Sequence, residues 1–404
     1  MTKNSAPSWL FIAIAGSCAT LIGLALGRFS YVPLLPLLID AHWTSPGGAA
    51  QLAAANLIGY LVGALAAHRI ALKVGPASAI KGALLAVVLS LAACGINAGL
   101  AWLWAWRFIA GAAGGLVMIL SAPYVLSRVP VALRGKTAGM VFCGIGCGIM
   151  LSGVIVPAFG AAHLGAAWLA LAAIAAIALL YAWPKFHDKG SEPADRPEHG
   201  KLVPGGALLA LLCAYVLDAV GYIPHTVFWV EYLVHGLHKP LSIGGAFWVV
   251  FGAGAVAGPL LSGYAADRFG FRNTLIACFA LKAMAVALPL ASSSMFALFA
   301  SSFVVGALTP GLVAVLSGRV IEIVGVAQHQ RSWALLTFSY AVLQAAGGYA
   351  MAALYAATHS FTALFAIGAS ALGLGALILL LSSGAGFGAS GVNHLRNDIH
   401  KSND

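Results

Sequence analysis

The chain has 404 residues, of which 61% are hydrophobic and only 8% are charged, and its formal net charge is +10. Soluble proteins are about 25% charged, so this composition excludes a soluble fold and indicates a protein whose solvent is the lipid bilayer. The apolar runs are continuous, without the period-two alternation of a membrane β-barrel.

Since a transmembrane helix takes about 20 residues, the sequence predicts an all-α membrane protein with twelve transmembrane helices. The predicted spans are, in chain order, 9–38, 47–67, 77–97, 100–125, 137–160, 163–183, 204–234, 241–265, 273–292, 294–317, 333–357 and 361–383. The hydrophilic stretch PKFHDKGSEPADRPEHGK divides them into two groups of six. The predicted domains are an N-terminal bundle (1–183), a cytoplasmic linker (184–203), a C-terminal bundle (204–384) and a cytoplasmic tail (385–404).

The basic residues are concentrated on one side of this topology. Loops on the side of the N-terminus carry sixteen Lys and Arg residues, whereas the opposite loops carry only Lys239. The positive-inside rule makes the crowded side cytoplasmic, which places both termini in the cytoplasm and favours a bacterial inner (cytoplasmic) membrane. The net charge therefore reflects orientation and does not indicate nucleic-acid binding.

The two halves repeat each other in order. The matched segments are GALAAHR (63–69) with GYAADRF (263–269), RFIAGAAGGLV (107–117) with SFVVGALTPGLV (302–313), and Gly27 with Gly221. Two six-helix repeats with a site between them near the midplane are typical of transporters. In the first pair, Ala67 is aligned with Asp267.

The stretch GYAADRFGFR (263–272) resembles the loop signature Gly-x-x-x-Asp-Arg-x-Gly-x-Arg of the major facilitator superfamily. The longer stretches GRFSYVPLLP, GMVFCGIGCGIMLSG, GYIPHTVF and LLTFSYAVLQAAGG resemble its YbfB/YjiJ branch. This resemblance implies two pseudo-symmetric six-helix bundles, alternating access without ATP and a monomer. It also implies that spans one, four, seven and ten line a central cavity, and that Asp267, Arg268 and Arg272 form a conformational latch.

Three ionisable residues fall within the predicted cavity spans: Arg28, Arg107 and Asp218. Ionisable groups inside a membrane face the bundle interior or water and are functional candidates. Helical rise places all three between the midplane and the outer third, close enough to meet across a cavity. Two cations and one acid favour a small anionic substrate, with Arg28 neutralised in turn by Asp218 and by the substrate, and with Asp218 as the proton-coupling site.

Helical spacing adds further candidates for substrate binding. The set predicted to bind substrate comprises Arg28, Tyr31, Arg107, Tyr222, His225, Thr337 and Gln344. Four roles remain open: Tyr222 as a packing or interface aromatic, Arg107 as a brace between helices, His225 as a structural histidine, and Lys282 as a functional, a snorkelling or a paired cation. Prolines at 33 and 36 are expected to loosen the first span, as Gly221 and Pro224 are expected to loosen the seventh.

The sequence thus favours a proton-coupled secondary transporter of a small organic anion, with proton-driven efflux of hydrophobic, drug-like compounds as the alternative. It offers no convincing nucleophile and base, so we expect no enzymatic activity, no cofactor and no metal. The sequence RGKTAG (134–139) lacks the first glycine and the preceding strand of a phosphate-binding loop. The spacing of Glu231, His235 and His238 leaves two alternatives, an interfacial polar cluster and a metal site.

Overall fold

The computed structural model describes residues 8–130, 133–187 and 205–382, and the regular elements within these ranges are all helical. Residues 188–204 and 383–404, which hold most of the predicted linker and the whole predicted tail, lie outside the described residues.

The described residues form twelve long helices. They are α1 (Trp9–Asp40), α2 (Pro46–Val74), α3 (Pro76–Cys94), α4 (Leu100–Leu126), α5 (Arg134–Phe159), α6 (Leu164–Ala182), α7 (Gly206–Val227), α8 (Leu241–Phe269), α9 (Phe271–Ala291), α10 (Met295–Gly325), α11 (326–358) and α12 (Phe361–Leu381). Eleven of them are long and apolar enough to cross a membrane, and α11 completes the predicted twelve.

The junction between α10 and α11 differs from the predicted loop at 318–332. Helical structure runs almost unbroken over Met295–Thr358 and bends at Gly325, whose φ of 75° and ψ of 169° lie outside the helical region. Glycine adopts such a backbone without steric cost. A single residue therefore separates the two helices where the polar composition suggested a longer loop.

The helices pack as two six-helix bundles, α1–α6 and α7–α12, and each bundle crosses its second and fourth helices at matched glycines. A Cβ added at Gly63 would overlap the backbone of Ala112, and one at Gly258 would overlap the backbone of Ala307. Small residues permit this close approach of helix backbones in membranes. The crossings confirm the internal repeat, since equivalent positions make equivalent contacts.

The crossings also correct the register of one predicted match. Gly63 corresponds to Gly258, so the segment equivalent to 263–269 begins at residue 68 and not at residue 63. The positive-φ glycines that precede α3 and α9, Gly75 and Gly270, fit the same register. Leu72, and not Ala67, therefore occupies the position of Asp267.

The two bundles contact each other towards one end of the molecule. We call this end, at which α1 ends with Asp40, the Asp40 end. The opposite end, at which Gly75 connects α2 to α3, is the Gly75 end. Next to the Asp40 end, Gly47 lies against Ala356 of the other bundle, and Gly153 lies against Gly245. Nearer the Gly75 end, Gly139 and Gly263 on the same pair of helices, α5 and α8, have open space beside them. The structure is thus closed at the Asp40 end.

Candidate functional site

The helix that carries Arg28 is irregular at that residue. Leu21–Phe29 forms a π-helix, and the amide of Ser30 donates to the carbonyl of Ala25, five residues back, at 2.8 Å. Pro33 has no amide proton, and its ring crowds the carbonyl four residues earlier, that of Phe29. The predicted loosening of the first span is thus present, but it lies on the N-terminal side of the prolines. Wide turns of this kind are frequent at functional sites.

The seventh span breaks where the sequence predicts. Helix Gly206–Gly221 ends, and the next helical turn, Ile223–Val227, begins with Pro224 in its first turn. Tyr222 lies at the break. Its side chain meets that of Arg28 between the two bundles.

Arg28 binds only neutral groups. Its Nη2 donates to the hydroxyl of Tyr222 at 2.6 Å, and its Nη1 donates to Oε1 of Gln344 at 3.1 Å. The Gln344 amide also donates to the Tyr222 hydroxyl. The guanidinium carbon lies 5.1 Å from the ring centroid of Phe29 and 5.4 Å from that of Tyr60. The structure therefore brings together three of the predicted binding residues, Arg28, Tyr222 and Gln344.

No carboxylate of the described residues compensates Arg28. The acids in these ranges are Asp40, Asp218, Glu231, Asp267 and Glu322. Four of them pair with other cations or histidines, and Asp267 is exposed at the Gly75 end. The side chain of Arg28 is half-buried, so it is a cation inside the membrane-spanning region that is reachable from the space between the bundles.

Asp218 has a different partner from the predicted one. The pairing of Asp218 with Arg28 is wrong for this structure, since Oδ1 of Asp218 lies 2.6 Å from Nζ of Lys282 and both side chains are buried. The ammonium of Lys282 also lies 5.0 Å from the ring centroid of Tyr222. Lys282 is therefore a paired cation in this structure. The pair is neutral overall and leaves the charge of Arg28 unbalanced.

Arg107 and Tyr31 lie together inside the N-terminal bundle. Arg107 donates from Nη1 to the carbonyl of Gly27 at 3.0 Å, and its guanidinium carbon lies 4.4 Å from the ring centroid of Tyr31. Asn56 donates to the same Gly27 carbonyl and to the carbonyl of Arg107. These contacts hold the backbone next to Arg28, so in this conformation Arg107 acts as a brace and does not line the site.

His225 is packed in the C-terminal bundle, away from Arg28. Its Nε2 lies 2.8 Å from the Ser301 hydroxyl, which donates its single proton to the carbonyl of Ala285 at 2.6 Å. Nε2 must therefore donate, and the imidazole is a structural donor stacked on Trp229 at 4.4 Å. Thr337 makes no hydrogen bond to Arg28; its buried Oγ1 is unpartnered within the described residues.

The predicted latch is not engaged. Asp267 and Arg268 are exposed at the Gly75 end and Arg272 is half-buried, and none of the three forms an ion pair with another described residue. Their role as a latch stays a prediction.

A polar cluster bridges the two bundles at the Asp40 end. Nε2 of His235 lies 2.8 Å from Oδ1 of Asp40, and its Nδ1 lies 3.0 Å from Oε1 of the buried Glu231. The hydroxyl of Tyr355 donates to the same Glu231 oxygen at 2.9 Å. Asp40 is the last residue of α1 in the N-terminal bundle, whereas Glu231, His235 and Tyr355 belong to the C-terminal bundle. His235 therefore links the two bundles. No described group of three His, Cys, Asp or Glu side chains has the geometry of a metal site.

The architecture matches that of a solved transporter. The crystal structure of a D-xylose-proton symporter superposes with a TM-score of 0.71 over 92% of this chain and 96% of its own, at 15% sequence identity. Two six-helix bundles with a buried polar site between them define the fold as that of the major facilitator superfamily.

The sequence assigns the chain to one family within this superfamily. Residues 20–380 match the family model described as "Uncharacterised MFS-type transporter YbfB", and the chain belongs to this family of multi-pass membrane transporters. It is also similar to the "Uncharacterized MFS-type transporter YceJ" of Bacillus subtilis (strain 168), with 26% identity over 278 residues, 66% of this chain and 68% of the relative. The chain is therefore a transporter and not an enzyme.

The closure of the Asp40 end by the His235 bridge is expected to depend on pH. Hydrogen bonding and charge from Glu231, helped by Asp40, raise the pKa of His235 to about 9 against the opposing effect of burial. Because the pKa is raised, protonated His235 stabilises the closed end. This stabilisation is fully present below pH 6.5, the ordinary pKa of histidine, and is lost as the pH rises through about 9. Deuterium exchange of the 39–46 segment, corrected for its intrinsic pH dependence, should rise over that range.

The matched control is His238→Asn, because His238 is exposed in the same loop. His235→Asn should show fast exchange at every pH, whereas His238→Asn should follow the native profile. A native profile in His235→Asn would show that the bridge does not hold this end closed.

Proposed function

We propose that this chain is a secondary active transporter that moves a small organic anion by alternating access, coupled to protons, across the inner membrane of a bacterium. The observation that carries this proposal is the charge of Arg28, which lies between the bundles and has only neutral partners among the described residues. A charged side chain at the centre of a bilayer costs about 3 kcal/mol or more. A substrate carboxylate that enters the site supplies the missing charge.

The geometry around Arg28 suits the binding of a carboxylate. A guanidinium stays charged at any cellular pH and binds a carboxylate through two parallel hydrogen bonds. Both terminal nitrogens of Arg28 are already aimed at neighbouring acceptors, the Tyr222 hydroxyl and the Gln344 carbonyl oxygen. An incoming carboxylate replaces these two acceptors with its own oxygens and frees Tyr222 and Gln344 to donate to it.

The distribution of basic residues supports the orientation. Arg69, Lys73, Arg268 and Arg272 lie towards the Gly75 end, which the positive-inside rule assigns to the cytoplasm. Both termini are then cytoplasmic, the Asp40 end faces outward, and the closed Asp40 end makes this an inward-facing conformation. Asp267, Arg268 and Arg272 would engage as a latch when the Gly75 end closes.

Asp218 is the proposed proton site. It lies against Lys282, whose ammonium also contacts the ring of Tyr222, so protonation of Asp218 changes the charge next to the group that holds Arg28. This proximity offers a direct route from proton binding to substrate binding. The fold relationship to a protein named as a proton symporter is consistent with such coupling.

Efflux of hydrophobic, drug-like compounds is the second candidate. It is favoured by the aromatic rings of Phe29 and Tyr60 next to Arg28, because rings of this kind also bind lipophilic cations. Under this alternative Arg28 is a structural brace and does not touch the substrate.

A thermal-shift screen of the purified full chain separates the two candidates. Small carboxylates and aromatic acids should stabilise the native protein, and Arg28→Gln should weaken their binding by about 10- to 100-fold, since a hydrogen-bonded charge contributes about 1.5–3 kcal/mol. Arg319→Gln is the matched control, because Arg319 pairs with Glu322 outside the site. Stabilisation by lipophilic cations that is equal in native protein and Arg28→Gln would overturn the anion proposal.

The proton role is tested by transport in proteoliposomes. Asp218→Asn should abolish accumulation driven by a pH gradient while retaining substrate exchange at zero gradient, measured per molecule of folded protein because loss of one partner of a buried ion pair is destabilising. Glu231→Gln is the matched comparison, because Glu231 is the other buried acid of the C-terminal bundle. Loss of pH-driven accumulation in Glu231→Gln but not in Asp218→Asn would assign the proton to Glu231.

A further inference from the structure

An array of four aromatic side chains leads from the Arg28 site towards the Gly75 end. This aromatic ladder consists of Trp333, Tyr215, Tyr340 and Tyr222. Tyr215 and Trp333 have ring centroids 6.4 Å apart, Tyr215 and Tyr340 are 4.4 Å apart, and Tyr222 and Tyr340 are 6.1 Å apart. Tyr222, at its end, is the residue that accepts from Arg28.

The ladder forms because the aromatic residues on two neighbouring helices have the same spacing along the sequence. Tyr215 and Tyr222 are seven residues apart on α7, and Trp333 and Tyr340 are seven apart on α11. Residues seven apart lie on one helix face, two turns from each other. Gln344 extends the α11 face by one more turn to Arg28, so the distance from Gln344 back to Trp333 is about 16 Å by helical rise.

The ladder borders the space between the bundles. Ala341, next to Tyr340, packs with Leu24 and Tyr60 of the N-terminal bundle, and the partly buried Met118 and Ile145 pack against the same cluster. Trp333 and Tyr340 keep part of their surface exposed. A ligand bound next to Arg28 therefore contacts aromatic rings on one side and apolar side chains on the other.

We infer that the substrate is an aromatic carboxylate, with its carboxylate on Arg28 and its ring against the aromatic ladder. This inference rests on the proposed function and narrows its substrate class. A carboxylate alone would use only the Arg28 end, whereas a flat ring attached to it reaches Tyr222 and Tyr340. Ring pairs prefer offset or edge-to-face contacts at centroid distances of 4.5–7 Å, which saturated rings of similar size do not gain.

The test compares matched acids that differ in ring type. Radiolabelled benzoate is bound to the purified full chain and displaced by unlabelled benzoate, 2-naphthoate or cyclohexanecarboxylate. Benzoate and 2-naphthoate should bind at least about 10-fold more tightly than cyclohexanecarboxylate. In Tyr340→Leu, which removes a ring but keeps an apolar side chain, this preference should fall to about twofold or less. Tyr349→Leu, on the exposed face of the same helix, should keep it.

The outcomes separate this inference from the function on which it rests. Equal binding of benzoate and cyclohexanecarboxylate, or a full preference in Tyr340→Leu, would overturn the aromatic inference and leave an anion transporter. Failure of every carboxylate to bind, with tetraphenylphosphonium bound instead, would overturn both. If Tyr340→Leu does not fold, Tyr340→Ile provides the same comparison, with loss of the aromatic preference as the expected result.

Discussion

The charge of Arg28 is the constraint around which the interior of this transporter is arranged. A guanidinium remains protonated in a membrane, and its charge must be met by dipoles, rings, water or a counter-ion. Here the protein supplies dipoles from Tyr222 and Gln344 and the faces of two rings, but no carboxylate among the described residues. The wide turn of α1 and the break in α7 are the local distortions that bring Arg28 and Tyr222 together.

Other buried charges are arranged so that they do not compete for this position. Asp218 is held by Lys282, and Arg107 is held by the carbonyl of Gly27 and the ring of Tyr31. Breaking a buried ion pair by removing one partner is strongly destabilising, so Asp218 is not free to neutralise Arg28 in this conformation. The site therefore keeps a net positive charge while the Asp40 end is closed by the bridge through His235.

Much of the fold could be predicted from the sequence because the lipid requires it. Every backbone polar group in the membrane must be bonded within its own helix, so continuous apolar runs specify helices, and their number specifies the class. The bend at Gly325 was missed because the surrounding polar residues suggest a loop. The repeat register was missed because similar small residues recur at several spacings, and only the close approach of Gly63 and Gly258 to their partner helices distinguishes them.

The site was predicted in part, for a physical reason. Arg28, Tyr222 and Gln344 come together as depth and helical spacing lead one to expect, because each lies at a similar depth on a helix next to the space between the bundles. Their role in substrate binding stays a prediction. Depth does not tell which way a side chain points around the helix axis. Arg107 and Asp218 therefore have suitable depths but turn into their own bundles, and the partner of Asp218 comes from α9, outside the expected lining helices.

The most direct measurement compares benzoate with its neutral isostere benzamide in equilibrium binding to the native chain and to Arg28→Gln. We expect the native protein to prefer benzoate by at least about 10-fold and Arg28→Gln to bind the two compounds almost equally. A preference for benzoate that survives unchanged in Arg28→Gln would show that another group meets the substrate charge and would contradict the central role given to Arg28.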